Sequence, residues 1–158
     1  MKEIELTQGK IALVDDGDFE WLNQYKWHAA KGGRTYYAVR KKKIDGKEQR
    51  LLMHRIILNT PKNKQSDHKD LNGLNNQRYN LRICTPQENM MNREYYTDGY
   101  SKFKGVSWDK ARSKWRSYIC INYKFIPLGR FISEIDAALA YDKACKRLFG
   151  EFARLNFK

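Results

Sequence analysis

The stretch SDHKDLNGLNNQRYNLRICTPQENMMNR, residues 66–93, constrains this chain more than any other. It sets Asp67, His68 and the asparagines Asn72, Asn75, Asn76, Asn80, Asn89 and Asn92 around one short apolar segment, residues 81–84. Asparagine-rich segments are often solvated loops, because the short amide competes for backbone hydrogen bonds and tolerates left-handed turns. Residues 85–88 argue for more order. Thr85, Pro86 and Glu88 read as a helix start: a capping hydroxyl, a proline at the first helical position, and a carboxylate three residues after the cap. The helix that follows carries Asn89 in its first or second turn and Asn92 one turn further, on the same side. A loop with Asp-His, a short strand and a helix with Asn is a compact way to set ligands for a hard cation beside a general base.

At 158 residues the chain fits one ordinary domain or two small ones. Its formal charge of +13 is large for that size, and 41% apolar and 13% aromatic residues are too many for a disordered basic tail. A folded, strongly basic chain points to a polyanion, with nucleic acid the first candidate. An anionic membrane surface would call for an amphipathic basic helix with a broad apolar face, and the sequence offers none. No apolar run reaches the length of a membrane span, and no signal-peptide pattern opens the chain. Cys84, Cys120 and Cys145 are odd in number and widely spaced, which argues against a disulfide framework or a zinc ribbon and for buried thiols in a reducing compartment.

In chain order, residues 4–7 and 10–14 read as short strands, and residues 15–18 as an acidic turn without the ligand pattern of a calcium loop. A short helix is expected over residues 19–27 with Asp18 as its N-cap. Residues 35–40 form a strand, 41–47 a charged hairpin connection and 49–53 the return strand. His54 to Leu58 reads as a short buried helix stopped before Pro61. His54 is weighed mainly as a structural hydrogen-bonding residue, and His28 carries no functional weight. Residues 95–101 have the composition of a linker. Beyond it, residues 103–108, 114–121 and 124–131 are three successive antiparallel strands, with Pro127 on an edge. A helix capped by Ser133 and ended by Gly150 follows, with Ile135, Ala138, Leu139, Cys145 and Leu148 at helical spacing. One helix behind a three-stranded sheet leaves the other face of the sheet open. Residues 95–158 hold thirteen Lys or Arg against six Asp or Glu, about half of the excess charge.

Two resemblances follow from these residues. Asp67-His68 with residues 69–73, Asn75-Asn76, residues 79–82 and residues 85–89, preceded by residues 53–57, resemble the His-Asn-His (HNH) nuclease family with its ββα-metal fold. The likeness is to the homing-endonuclease branch, in which the last His of the motif is Asn. The resemblance implies that His68 is the general base, that Asp67 and Asn89 bind one divalent cation, magnesium, and that Asn80 holds the loop and orients the His68 ring. His54, Asn92 and Arg93 are supporting residues, with solvent exposure the default for Asn92 and Arg93. Asn89 in place of His makes a transition metal less favoured. Residues 103–106, 114–115, Ile119, 128–131, 137–144, 148–150 and 155–157 resemble the Apetala-two/ethylene-response-factor (ERF) DNA-binding domain, which lays its sheet in the major groove. That likeness makes Lys104, Ser107, Trp108, Lys114, Arg116, Tyr118 and Arg130 the expected DNA contacts. Ser107 and Cys120 replace Arg of the plant pattern, so a target sequence does not carry over.

The expected architecture is α+β. A small β-rich N-terminal extension, residues 1–49, supports the nuclease or extends the DNA contact. An HNH ββα-metal module spans residues 50–94, residues 95–101 are the linker, and an Apetala-two/ERF-like domain of a three-stranded antiparallel sheet on one helix spans residues 102–158. The expected function is a divalent-metal-dependent DNA endonuclease that hydrolyses phosphodiester bonds and nicks duplex DNA. A monomer is favoured, acting in a prokaryotic or phage-encoded cytoplasmic setting, not secreted. Two alternatives stand beside it: a sequence-specific DNA-binding protein with a degenerate nuclease module, and an RNA- or ribosome-binding protein, which explains the charge but not Asp67-His68.

Overall fold

An alternating segment around Ile4 and the apolar run Ile11–Val14 fold the start of the chain into a hairpin. The strands β1 (Lys2–Glu5) and β2 (Ile11–Val14) pair antiparallel and turn Ile4, Ala12 and Val14 inward. The computed structural model describes residues 1–93, 100–122 and 124–157, which divide into two units, Met1–Asn89 and Met90–Lys158. The architecture is α+β, with small antiparallel sheets and, among the described residues, four α-helices. No helix there is long and apolar enough to cross a membrane.

In the first unit, α1 (Asp16–Leu22) begins three residues before the expected helix. Asp15 holds the extended flanking position, and Asp16 and Asp18 fill the first turn, where acidic groups favour the helix dipole. Asp18 is thus inside the helix and not its cap, and Trp27 lies beyond the helix, donating its indole N–H to the Leu22 carbonyl at 2.9 Å. A meander follows: β3 (His28–Gly32), β4 (Thr35–Ile44) and β5 (Lys47–Leu52). The sequence reading missed β3 and cut the hairpin short at residue 40. Asp45 and Gly46, with φ of 50° and 76°, supply the two left-handed positions of a tight turn, so the ladder runs through the lysines to Ile44↔Lys47.

The helix α2 (Met53–Ile57) forms where a short helix was expected. Asp67 and His68 lie on a strand and not in a loop: β6 (Gln65–His68) pairs antiparallel with β7 (Leu81–Cys84), and α3 (Pro86–Asn92) follows. The predicted capping box is present. Glu88 Oε2 accepts from the Thr85 N–H at 2.6 Å, and the Glu88 N–H donates to Thr85 Oγ1 at 3.2 Å. Ile4, Leu22, Trp27, Ala38, Met53, Ile57 and Leu81 belong to one hydrophobic cluster, so strands from the start of the chain share a core with the β6–β7 hairpin.

The second unit is a three-stranded sheet, order β10-β9-β8, with one helix. The strands are β8 (Val106–Asp109), β9 (Lys114–Ile121) and β10 (Lys124–Phe131). Pro127 sits on the edge strand β10, beside a bulge before Gly129. The helix α4 (Glu134–Phe149) has Ser133 as its cap, accepting from the Asp136 N–H at 3.4 Å, and Gly150 past its end. Its buried face overlaps the expected one at Ala138 and Cys145 only. Ala137, Ala138, Tyr141, Ala144 and Cys145 face the sheet, whereas Ile135, Leu139 and Leu148 are 55%, 50% and 42% exposed. Small residues let the helix approach closely: a Cβ at Gly105, whose φ is 74°, would strike the Tyr141 ring. Asn156 ties the end of the chain in, donating its N–H and Nδ2 to Asp142 Oδ1 at 2.8 and 3.0 Å and accepting from the Lys104 N–H at 2.7 Å. The expected linker lies, up to residue 99, outside the described residues, as does Tyr123 of the β9–β10 turn.

Candidate active site

The segment between β6 and β7 is a polar core in miniature. Asp70 Oδ1 accepts from the Asn72 N–H at 2.8 Å and from Asn80 Nδ2 at 2.9 Å, and its Oδ2 accepts from Asn75 Nδ2 at 2.8 Å. Asn80 closes the circuit, accepting from the Asp70 N–H at 3.0 Å and donating to the Asn75 carbonyl at 2.8 Å. Leu71 takes a φ of 67° to complete the turn. The loop is pinned to the start of the chain by Asp15 and Asp18. Asp15 Oδ2 accepts the Arg78 N–H at 2.8 Å, and Arg78 grips both oxygens of Asp18 at 2.7 Å. Asn75, Asn76 and Asn80 are all buried. Buried amides are tolerable only when paired, and these are.

This circuit presents one amide to His68. Asn76 donates Nδ2 to the Leu74 carbonyl at 3.1 Å, which fixes its oxygen end, and that oxygen lies 3.3 Å from His68 Nε2. An amide oxygen only accepts, so the neutral ring carries its proton on Nε2 and its lone pair on Nδ1. Burial pushes the His68 pKa below its ordinary value, against the opposing pull of the Asn76 bond and the nearby Asp70 and Asp67 charges. His54 stands edge-on to it, ring centroids 4.8 Å apart, and Tyr37 packs on both imidazoles at 5.5 and 5.9 Å. His54 Nδ1 is buried with no hydrogen-bond partner among the described residues. Burial first, then the neighbouring His68 and Arg55, push the His54 pKa down to about 3.

Asp67 points to the other side of β6, since successive strand residues alternate faces. Its cross-strand neighbour is Arg82, which donates Nε and Nη2 to Oδ2 at 2.9 and 2.7 Å. Both partners are buried, at 5% and 9% exposure. Asn89 donates Nδ2 to Gln65 Oε1 at 2.7 Å. An open cleft is lined by Tyr37, Leu52, His54, Arg55, Gln65, Ser66 and Asn89. Among the described residues no group of three His, Cys, Asp or Glu is placed to hold a metal. A cation here therefore needs amide donors as well. By donor type, a carboxylate from Asp67, an amide oxygen from Asn89, whose nitrogen end is committed to Gln65, and the His54 ring nitrogen suit a divalent ion, but Asn89 and His54 line the cleft and Asp67 is held by Arg82 away from its lining.

Of the sequence-predicted residues, Asp67 and His68 are neighbours on β6 that face opposite sides, Asn80 bonds Asp70 and Asn75 while Asn76 takes the place against the His68 ring, and Asn89 shares with His54 a cleft whose lining includes neither Asp67 nor His68. Asn92 is buried, against the expected exposure, and Arg93 is exposed just past α3. Asn76, Tyr37, Gln65 and Arg82 were not singled out for any role in the site. Asn76 left a signal in the asparagine series and the HNH-like motif, and Arg82 as a cation within the apolar segment that follows Asp-His. Of the thiols, Cys84 and Cys145 are buried and burial drives Cys84 up to about 11, but Cys120 is only half-buried.

On the sheet of the second unit, Ser107, Lys114, Arg116, Tyr118 and Arg130 share the face turned away from α4, by strand alternation and register. Arg116 Nε donates to Ser107 Oγ at 2.6 Å, and Arg130 Nε to Asp109 Oδ2 at 3.0 Å, so two guanidinium groups are held at fixed positions. Trp108 is not with them. It lies opposite Trp115 in the ladder, with ring centroids 5.0 Å apart, and Trp115 packs against the helix-side core. Nor is Lys104, whose Nζ donates to the carbonyls of Met91 and Arg93 at 2.7 and 2.9 Å.

No family model matches the chain. An uncharacterized HNH endonuclease of Acanthamoeba polyphaga mimivirus is 32% identical over 156 residues, covering 94% of this chain and 76% of that protein. Protein 3.8 of Escherichia phage T7 is 35% identical over 95 residues, covering 60% of this chain and 77% of its own length. APETALA2-like protein 2 of Oryza sativa subsp. indica is 38% identical over 65 residues, which is 40% of this chain but only 15% of the plant protein.

Proposed function

The chain belongs to the HNH endonuclease family, and from that premise we propose that it is a divalent-metal-dependent DNA endonuclease with His68 as its general base. The observation that carries this reading is the His68–Asn76 contact. It supports a neutral, oriented imidazole, the form that can take a proton from water. The activated oxygen attacks phosphorus, the bond from phosphorus to the 3′ oxygen breaks with its electron pair leaving on that oxygen, and a proton from solvent completes the alcohol. Asp67 and Asn89 would hold one cation, magnesium, with His54 as a further donor. When bound, the ion supplies Lewis-acid stabilisation of the phosphate and of the leaving oxygen. Asn80 acts on the loop, keeping Asn75 and Asp70 in place, and Asn76 orients the ring. In the second unit, the Apetala-two/ERF-like sheet would lie in the major groove with Arg116 and Arg130 toward the duplex and Lys114 on phosphate. A single site per chain nicks one strand per binding event.

One observation favours a second reading, a DNA-binding protein with a degenerate nuclease module. Asp67 is ion-paired with Arg82, and both Asp67 and His68 are only 5% exposed. The two readings separate on supercoiled plasmid incubated with magnesium. The native protein should yield open circles, and His68→Ala should lower the rate by about 10²-fold or more. Intact plasmid across duplex substrates and divalent metals, or equal cutting by His68→Ala, contradicts the catalytic reading.

A further inference from the structure

The first unit carries a basic feature that the nuclease site does not use. β3 pairs with β4 only as far as Val39, whereas β5 continues alongside β4 to Ile44↔Lys47. Residues 40–51 therefore project as a two-stranded ribbon, about 17 Å long at the usual rise per strand residue. Lys41, Lys42, Lys43, Lys47 and Arg50 are all exposed along it, against Asp45 and Glu48. The base is packed against the unit: the Arg40 guanidinium lies 3.7 Å over the Tyr25 ring and 5.6 Å from that of Trp27.

Charges on an edge ribbon also keep sheets from pairing edge to edge, and one or two lysines suffice for that. This ribbon goes further. Lys41 stands directly opposite Arg50 in the ladder, a like-charge pair that weakens the hairpin bearing it. Glu48 relieves part of this by bonding Lys41 at 2.9 Å. Local conflict of this kind in an otherwise consistent hairpin marks a place where binding outweighs stability. A two-stranded ribbon fits the major groove of duplex DNA, and lysines on both its faces suit the phosphates along either wall.

We propose that the β4–β5 ribbon is a DNA-backbone-binding arm of the nuclease unit, separate from the sheet of the second unit. The inference rests on the reading of duplex DNA as substrate. The test uses the full chain with Lys41, Lys42, Lys43, Lys47 and Arg50 all changed to Gln, and separately Glu48→Gln. Anisotropy with a labelled duplex, and with RNA of the same sequence, is read in EDTA across a salt series. The five-fold variant should melt no lower than the native protein, bind duplex about tenfold or more weakly, and lose about 0.9 from the log–log salt slope for each phosphate contact removed. Glu48→Gln should bind more tightly, which tests the arm even if the larger variant folds poorly. Unchanged duplex affinity and slope in both variants, beside a native protein that binds, would overturn the arm alone. So would a loss confined to RNA. A native chain that does not bind duplex at all would overturn the arm together with the reading beneath it.

Discussion

The two units handle polar groups in opposite ways. The first buries them: Asp67, His68, Asn75, Asn76, Asn80 and Arg82 are all inside, each held by named partners. The second buries an alanine-rich helix face against a sheet, with Asp142 as its main buried charge, and sets Lys114, Arg116 and Arg130 on the open side. A buried polar circuit is costly to leave half-made, because an orphaned partner has no water to turn to. An exposed basic face is nearly additive, each charge contributing a little through salt-sensitive contacts. The site unit should therefore fail sharply under single substitutions, and the sheet should fade gradually.

The largest effect is expected at the Asp67–Arg82 pair. Arg82→Leu takes the guanidinium away from a buried carboxylate and should cost about 3–5 kcal/mol in a urea melt, whereas Asp67→Leu with Arg82→Leu should recover most of that loss. Equal stability of Arg82→Leu and the native protein would mean that the pair is not buried as described. Far smaller effects are expected on the sheet. Lys114→Ala should leave the melt within about 0.5 kcal/mol and reduce the salt slope of DNA binding by about 1, equally across sequences. A change of several units would show that the face acts as one cooperative network, as the site does.

What was legible in the sequence divides along the same line. The cap of α3 was legible because Thr85, Pro86 and Glu88 are local chemistry. The strands β9 and β10 were legible from alternation and from the turn that joins them. The helix α4 was placed correctly and Ala138 and Cys145 face the core as expected, but Ile135, Leu139 and Leu148 do not, because bulky residues outweigh alanines in a periodicity although small residues are what close packing against a sheet needs. The amide circuit was not legible: which asparagine meets His68 depends on a left-handed Leu71 and on the Asp15 and Asp18 anchors some sixty residues away in the chain. Tyr37, on a strand of another sheet, gave no sign of meeting either imidazole.

The central claim is that a neutral His68, oriented by Asn76, takes the proton from water. The direct measurement is the pH dependence of kcat/KM on plasmid for the native protein, Asn76→Asp and His68→Ala. Acid also weakens the fold. His54 stays neutral inside and His68 takes up its proton at lower pH than in the unfolded chain, so stability is full above about 6.5 and falls as pH drops, for His54 toward about 3. Rates are therefore compared only where circular dichroism is unchanged. Burial lowers the His68 pKa, so the native acid limb should lie below about 6.5. A carboxylate at Asn76→Asp favours the imidazolium and should move that limb upward. An acid limb that stays in place in Asn76→Asp, or that survives in His68→Ala, would contradict the account.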